Sequence, residues 1–230
     1  MGSRVLRGAA GLAIVLAVGV AMSACSRPPP PGSEPAAQVV PAIQAAANAA
    51  TSVHVAGSVT QKGQTTTIDV SFLGDSVAGY LGAYGTTFYV LSEAGNSYVK
   101  LNAAFLAVEK APASLCASIC GKYVELSDSG TIEIAELLSM QQLVKEVFNA
   151  KAMSSAAGSG CVFSPATVNG QSVLQCSQGG YTLDVAAQGQ PYLLDWTGPH
   201  GQHLVFSDWN SVTLPALPPA SQVVSLSDLG

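Results

Sequence analysis

Val53-His54-Val55-Ala56-Gly57-Ser58-Val59-Thr60 alternates along the chain with a period of two, and Lys62-Gly63 follows it as a turn. One set, Val53, Val55, Gly57 and Val59, points to one side, and His54, Ala56, Ser58 and Thr60 point to the other. Residues 67–73 repeat the pattern with Ile68, Val70 and Phe72 on one face. Residues 77–84, 87–92 and 97–101 continue it, divided by Gly74-Asp75, Gly85 and Gly95-Asn96. Short alternating runs with closely spaced turn residues between them predict an antiparallel meander.

Working outward, residues 36–52 are alanine-rich, and their apolar positions after Pro41 fall at helical spacing, which predicts a short helix. Beyond the meander, residues 102–109 suit a helix capped by Asn102, and residues 123–126 a short strand. Residues 134–149 carry the clearest helical pattern, with Leu137, Leu138, Leu143, Val144, Val147 and Phe148 on one side. Alternation then resumes over 162–168, 171–177, 181–187, 191–197 and 202–212. Pro215, Pro218 and Pro219 keep the segment after Leu214 out of any central strand. The expected fold is α+β: a curved antiparallel sheet of about ten strands, a half-barrel, with helices on its concave face. An open sheet of that size curls, and its apolar inner face must be covered by helices or by a ligand.

The chain has 230 residues, 48% hydrophobic and only 10% charged, with 9 Lys plus Arg against 14 Asp plus Glu and a net charge of −5. That balance excludes a nucleic-acid partner, because no basic face is available to neutralise phosphates. Arg4 and Arg7 precede an apolar run from Gly8 to Ala21, too short to cross about 30 Å of hydrocarbon and typical of a signal-peptide core. Met22-Ser23-Ala24-Cys25 then resembles a bacterial lipobox, with Met22 in place of the commoner leucine. The resemblance implies that residues 1–24 are removed and that Cys25 becomes an acylated first residue. Residues 25–35, with Pro28 to Pro31 and Pro35, read as a semi-rigid tether, residues 36–214 as the folded domain, and 215–230 as a tail. The chain is then expected on the outer face of the cytoplasmic membrane. Its acidic body is repelled by anionic lipid, so attachment falls to the acyl chains, each methylene contributing about 0.8 kcal/mol.

Cys116, Cys120, Cys161 and Cys176 remain, an even set in an exported chain, and so predict two disulfides. Of three possible connectivities, Cys116–Cys120 and Cys161–Cys176 are favoured. Asn169-Gly170, a type I′ hairpin signal, brings the second pair close but two positions out of register, an offset that a bulge at Pro165 would absorb. The rival reading is zinc, but C-x-x-x-C without a second close pair or a nearby histidine fits no common zinc spacing.

Chemistry is otherwise sparse. No G-x-S-x-G, H-E-x-x-H or phosphate loop occurs. Ser97-Tyr98-Val99-Lys100 fits S-x-x-K but lies in an alternating strand, and no K-T-G follows. His200 and His203, near Asp195 and Asp208, sit among turn glycines and read as exposed turn residues ahead of metal ligands. His54 reads as a strand residue facing solvent or a helix. Glu133 and Glu136 suit the polar side of a helix, and Trp196 and Trp209 suit the core ahead of a lipid-lined cavity. No acid/base pair, metal or cofactor is expected, and the chain does not read as an enzyme.

The lipobox, the Ala-rich helix running into Thr51-Ser52-Val53-His54-Val55-Ala56-Gly57, and Ala166-Thr167-Val168-Asn169-Gly170 together resemble a known family. Leu204-Val205-Phe206-Ser207-Asp208-Trp209 before residues 215–223 completes the likeness. The chain is similar to the actinobacterial LppX/LprA/LprF/LprG lipoproteins, whose fold is akin to the carriers LolA and LolB. The resemblance implies a half-barrel that holds the acyl chains of a lipid or glycolipid between sheet and helices and helps move it through the envelope. No cargo motif of that family maps onto numbered positions here, so the ligand-binding residues stay unknown. The alternative is a surface-exposed structural or regulatory lipoprotein whose cavity is filled by its own side chains.

Overall fold

The computed structural model describes residues 32–61, 63–83, 85–126, 139–148, 153 and 160–225. Thirteen strands form one sheet: β1 (Glu34–Pro35), β2 (Ser52–Gln61), β3 (Gln64–Leu73), β4 (Ser76–Ala83), β5 (Thr86–Glu93), β6 (Asn96–Lys100), β7 (Tyr123–Glu125), β8 (Val162–Val168), β9 (Gln171–Gln178), β10 (Tyr181–Ala186), β11 (Leu193–Thr197), β12 (His203–Ser207) and β13 (Val223–Ser225). Among the described residues four helices accompany it: α1 (Ala36–Ala49), α2 (Ala103–Val108), α3 (Ala113–Ile119) and α4 (Met140–Val147).

The sheet runs β1-β8-β9-β10-β11-β12-β2-β3-β4-β5-β6-β7-β13. It is unclosed, and antiparallel everywhere except between β13 and β7. Two meanders, β2 to β6 and β8 to β12, join through β12 on β2, where Phe206 faces Val55. The strands on both sides of the segment between the meanders therefore belong to one sheet. Sheet pairing reaches past both ends of residues 36–214, because β1 pairs with β8 and β13 with β7. Cys25 and the rest of residues 1–31 lie outside the described residues.

Alternation builds the core directly. Phe206, Val55, Val70, Gly79, Val90, Val99 and Val124 stand side by side across seven strands on the inner face. All six of the side chains in that row are buried. Gly79 is there by necessity: with φ +152°, a Cβ would run into the Asp69 carbonyl on β3. Gly57, at φ +144° against the His203 carbonyl, is the same device on β2. Such glycines let a strand bend where a side chain would hold its neighbour away.

Helix α1 covers this face with Ala36, Val39, Ile43, Ala46 and Ala47, all buried. It starts five residues ahead of Pro41 rather than after it. Ala36 donates its N–H to the Cys161 carbonyl, and burial of Ala36 and Val39 holds the first turn despite the N–H that Pro41 lacks. Asn102 caps α2 by accepting from Phe105 N–H at 2.8 Å. Helix α3 was not foreseen, since only Ile119 of its seven residues is buried and the apolar stripe is short. Of the helix expected over 134–149, α4 accounts for 140–147, while 134–138 and 149, with Glu133 and Glu136, fall outside the described residues. Strand β12 stops at Ser207, short of the expected 212, because Asp208 takes a positive φ of 52°.

Candidate functional site

Most of the space over the inner face is taken up by the chain itself. Ile43, Phe163, Phe206, Met153, Leu183 and Leu193 are almost wholly buried there. An opening is left at one end of the sheet, a cleft of about 980 Å³, within the range of about 300–1,000 Å³ usual for small-molecule sites. Its walls are the second half of α1, the β3–β4 turn at Leu73, Gly74 and Asp75, and helix α4.

Each wall has a physical anchor. Gln44 on α1 donates to the Phe148 carbonyl at 2.8 Å and so fixes the end of α4. The Phe148 ring packs edge-on against Phe206 and Trp209, at centroid distances of 5.5 and 6.1 Å. At the base, Thr51 donates its N–H and hydroxyl to Asn210 Oδ1, and the Thr51 carbonyl accepts from Gly74 N–H at 2.9 Å. The lining is apolar below and polar above. Ala47, Val144 and Phe148 lie deep, Leu73 stands 40% exposed at the side, and Asn48, Asp75, Gln141 and Lys145 rim the mouth. Burial of apolar surface is the chemistry such a cleft offers, with one ammonium and one carboxylate at its edge.

The residues singled out in the sequence lie elsewhere. Trp209 stacks on Tyr192 at 4.6 Å and donates its indole N–H to the Leu193 carbonyl, and Trp196 packs against Tyr181. Both belong to the packing around the core rather than to the cleft wall. His54 stands on the outer face, its ring nitrogens bonded to Asp69 Oδ1 at 2.8 Å and Ser207 Oγ at 3.1 Å. His203 on β12 pairs with Asp195 at 2.6 Å, whereas His200 occupies a 3-10 turn at φ 63°. Among the described residues no group of three or more His, Cys, Asp or Glu could hold a metal ion. Ser97 and Lys100 project to opposite faces of β6. Ser97 Oγ bonds Ser92 Oγ, and the Lys100 ammonium lies over the Tyr123 ring, so they form no catalytic couple.

Two disulfides are present, Cys116–Cys120 and Cys161–Cys176, with Cα separations of 4.7 and 6.0 Å. The β8–β9 ladder runs without a shift through Pro165, opposite Leu174, so no bulge absorbs the offset. Cys161 precedes β8 and reaches diagonally to Cys176. Asn169 and Gly170 both have positive φ, 52° and 79°, as a type I′ turn requires.

The cleft could not be found from sequence. It is assembled from α1, α4 and a hairpin turn far apart in the chain, and Gln44, Leu73 and Met140 carry no motif. The nearest signals were the apolar stripe that includes Val144 and Phe148, and the Gly74-Asp75 turn.

No family model and no curated protein matches the sequence. Among solved structures, the chain is similar to LprF from Mycobacterium bovis, at 14% identity, with a TM-score of 0.53 over 79% of this chain and 96% of that one. It is also similar to the lipoprotein LppX of Mycobacterium tuberculosis, at 16% identity and a TM-score of 0.42, over 76% of this chain and 95% of that one. Both neighbours are mycobacterial lipoproteins of the family that the sequence resembles. The LprF likeness shows a shared fold.

Proposed function

We propose that this protein is a membrane-tethered lipoprotein that binds an acyl chain of a lipid or glycolipid in the cleft between α1 and α4. The observation that carries the reading is the cleft itself, an opening of about 980 Å³ floored by Ala47, Val144 and Phe148. Each acyl methylene buried there contributes about 0.8 kcal/mol, so one chain is enough for useful affinity. Binding needs no catalytic residue, and a polar rim at Gln141, Lys145 and Asp75 leaves the headgroup in water. Acylation of Cys25 after removal of residues 1–24 would hold the body at the outer face of the membrane, with residues from 25 onward as a leash. Carriage of the bound lipid through the envelope then requires only that the cleft open toward a donor and an acceptor surface.

A second reading has its own support. Ile43, Phe163 and Phe206 fill the centre of the inner face, as expected of a structural or regulatory lipoprotein without cargo. Titration with a fluorescent fatty acid separates the two. Saturable binding that weakens about tenfold in Leu73→Asp supports the acyl site, because that change puts a carboxylate on the cleft wall. Absence of saturable binding supports the filled scaffold.

A further inference from the structure

The opposite face of the sheet carries a feature that acyl binding leaves unused. Asp69, Tyr80, Tyr89 and Lys100 are direct cross-strand partners on β3, β4, β5 and β6. The β6–β7 register extends the row to Tyr123, and the Lys100 ammonium lies 5.0 Å from the centre of that ring. Tyr80 and Tyr89 meet edge to face at 5.0 Å, Tyr89 and Tyr123 at 6.1 Å, and Tyr98 joins Tyr123 at 6.4 Å. Four of the chain's seven tyrosines thus gather on one outer surface, with Tyr80 55% exposed. Burial, and then the Tyr123 and Tyr80 phenols, raise the Tyr89 phenol above its ordinary 10.0, so its hydroxyl stays a protonated donor at neutral pH.

We propose that the row Tyr80–Tyr89–Lys100–Tyr123, with Tyr98 beside it, binds one strand of a linear, uncharged polysaccharide laid across the β-strands. Aromatic rings offer apolar faces to the C–H side of a sugar ring, while the phenol hydroxyls, the Lys100 ammonium and the Glu125 carboxylate beside Tyr98 meet its hydroxyls. Tyr80 to Tyr123 spans three strand spacings, about 14 Å, a length suited to a few consecutive sugars. With Tyr89, Tyr98, Lys100 and Tyr123 only partly exposed, the row offers a narrow track rather than the area of about 800 Å² that each partner buries in a stable protein interface. Its charge argues against an anionic bilayer, since Asp69 and Glu125 border the rings and the chain carries a net −5. An uncharged polyol meets neither obstacle.

Affinity electrophoresis of the full chain in gels containing dextran, mixed-linkage β-glucan or glucomannan tests the site. Retardation by at least one polymer is expected, weakened about tenfold in Tyr80→Thr and in Tyr98→Thr. Threonine keeps strand propensity at both positions, and an unchanged melting temperature certifies the fold. No retardation in any gel, or equal retardation of the parent and both variants, overturns the proposal. So does Tyr80-dependent flotation with phosphatidylcholine–phosphatidylglycerol vesicles, which would make the row a membrane contact.

Discussion

The side-chain amide of Gln44, in the middle of α1, donates to the main-chain carbonyl of Phe148 just past α4, over 2.8 Å. A helix end leaves carbonyls without intrahelical partners, and this bond satisfies one of them from a neighbouring helix. The same Phe148 packs its ring against Phe206 of β12. One residue therefore registers α4 against both the helix and the sheet that wall the cleft.

Removing that donor should loosen the wall. Gln44→Ala is expected to cost about 1 kcal/mol of stability. The loss should appear as faster amide exchange over 140–148, with the β2–β6 amides unaffected, and as weaker fatty-acid binding. Unchanged exchange over 140–148 would show that α4 is held by other contacts.

Gly79 has a harsher constraint. Gly79→Ala places a Cβ against the Asp69 carbonyl and Val70 Cα at a φ of +152°, with main-chain atoms that have nowhere to move. A loss of about 3 kcal/mol or more is expected in urea unfolding. Gly95→Ala provides the contrast, since a Cβ there meets nothing within 4 Å and only the positive φ is penalised.

Asp184 is buried beside Gln175, which donates to its Oδ1 at 2.8 Å. Burial raises its carboxyl above the ordinary 3.8, and nearby Asp195 adds to this, against the Gln175 bond. Folding therefore favours the protonated form. The ionisation penalty is absent below the ordinary value, grows as the pH rises from there to the raised one, and persists at neutrality. Asp184→Asn keeps the acceptor for Gln175 and should raise the melting temperature at pH 7. The gain should vanish in acid, below the ordinary carboxyl value. A variant equally stabilised at both pH values would contradict this.

The two disulfides close loops of different length, with sequence separations of 4 and 15. Replacing Cys161 and Cys176 together by serine should cost about 3 kcal/mol, on the loop-entropy scale. The matching change at Cys116 and Cys120 should cost less. Equal losses in paired denaturation curves would mean that strain or local packing, not the loop, sets the contribution.

Legibility followed periodicity. Val53, Val55, Val70 and Phe72 announced the meander because alternation with turn residues between runs is a local signal, whereas the β12–β2 seam joins strands far apart in the chain and no local pattern announces it. Asn102 was legible as a cap because that signal too is local. Helix α3 was hidden because only Ile119 is buried, and the start of α1 because Pro41 looks like a boundary when the burial of Ala36 and Val39 is unknown. The diagonal reach of Cys161 to Cys176 needed the actual register of β8 on β9. Neither the cleft nor the tyrosine row was legible. Both depend on which strands and helices become neighbours, and the row emerges only when Tyr80, Tyr89 and Lys100 are placed in register.

Native mass spectrometry of the chain carrying Cys25→Ser, purified from a lipid-producing host, tests acyl binding most directly. The predicted spectrum contains the chain plus one non-covalent acyl lipid, released on denaturation and absent from the same protein carrying Leu73→Asp. Only the bare chain mass, or a lipid retained equally by the Leu73→Asp protein, would contradict it.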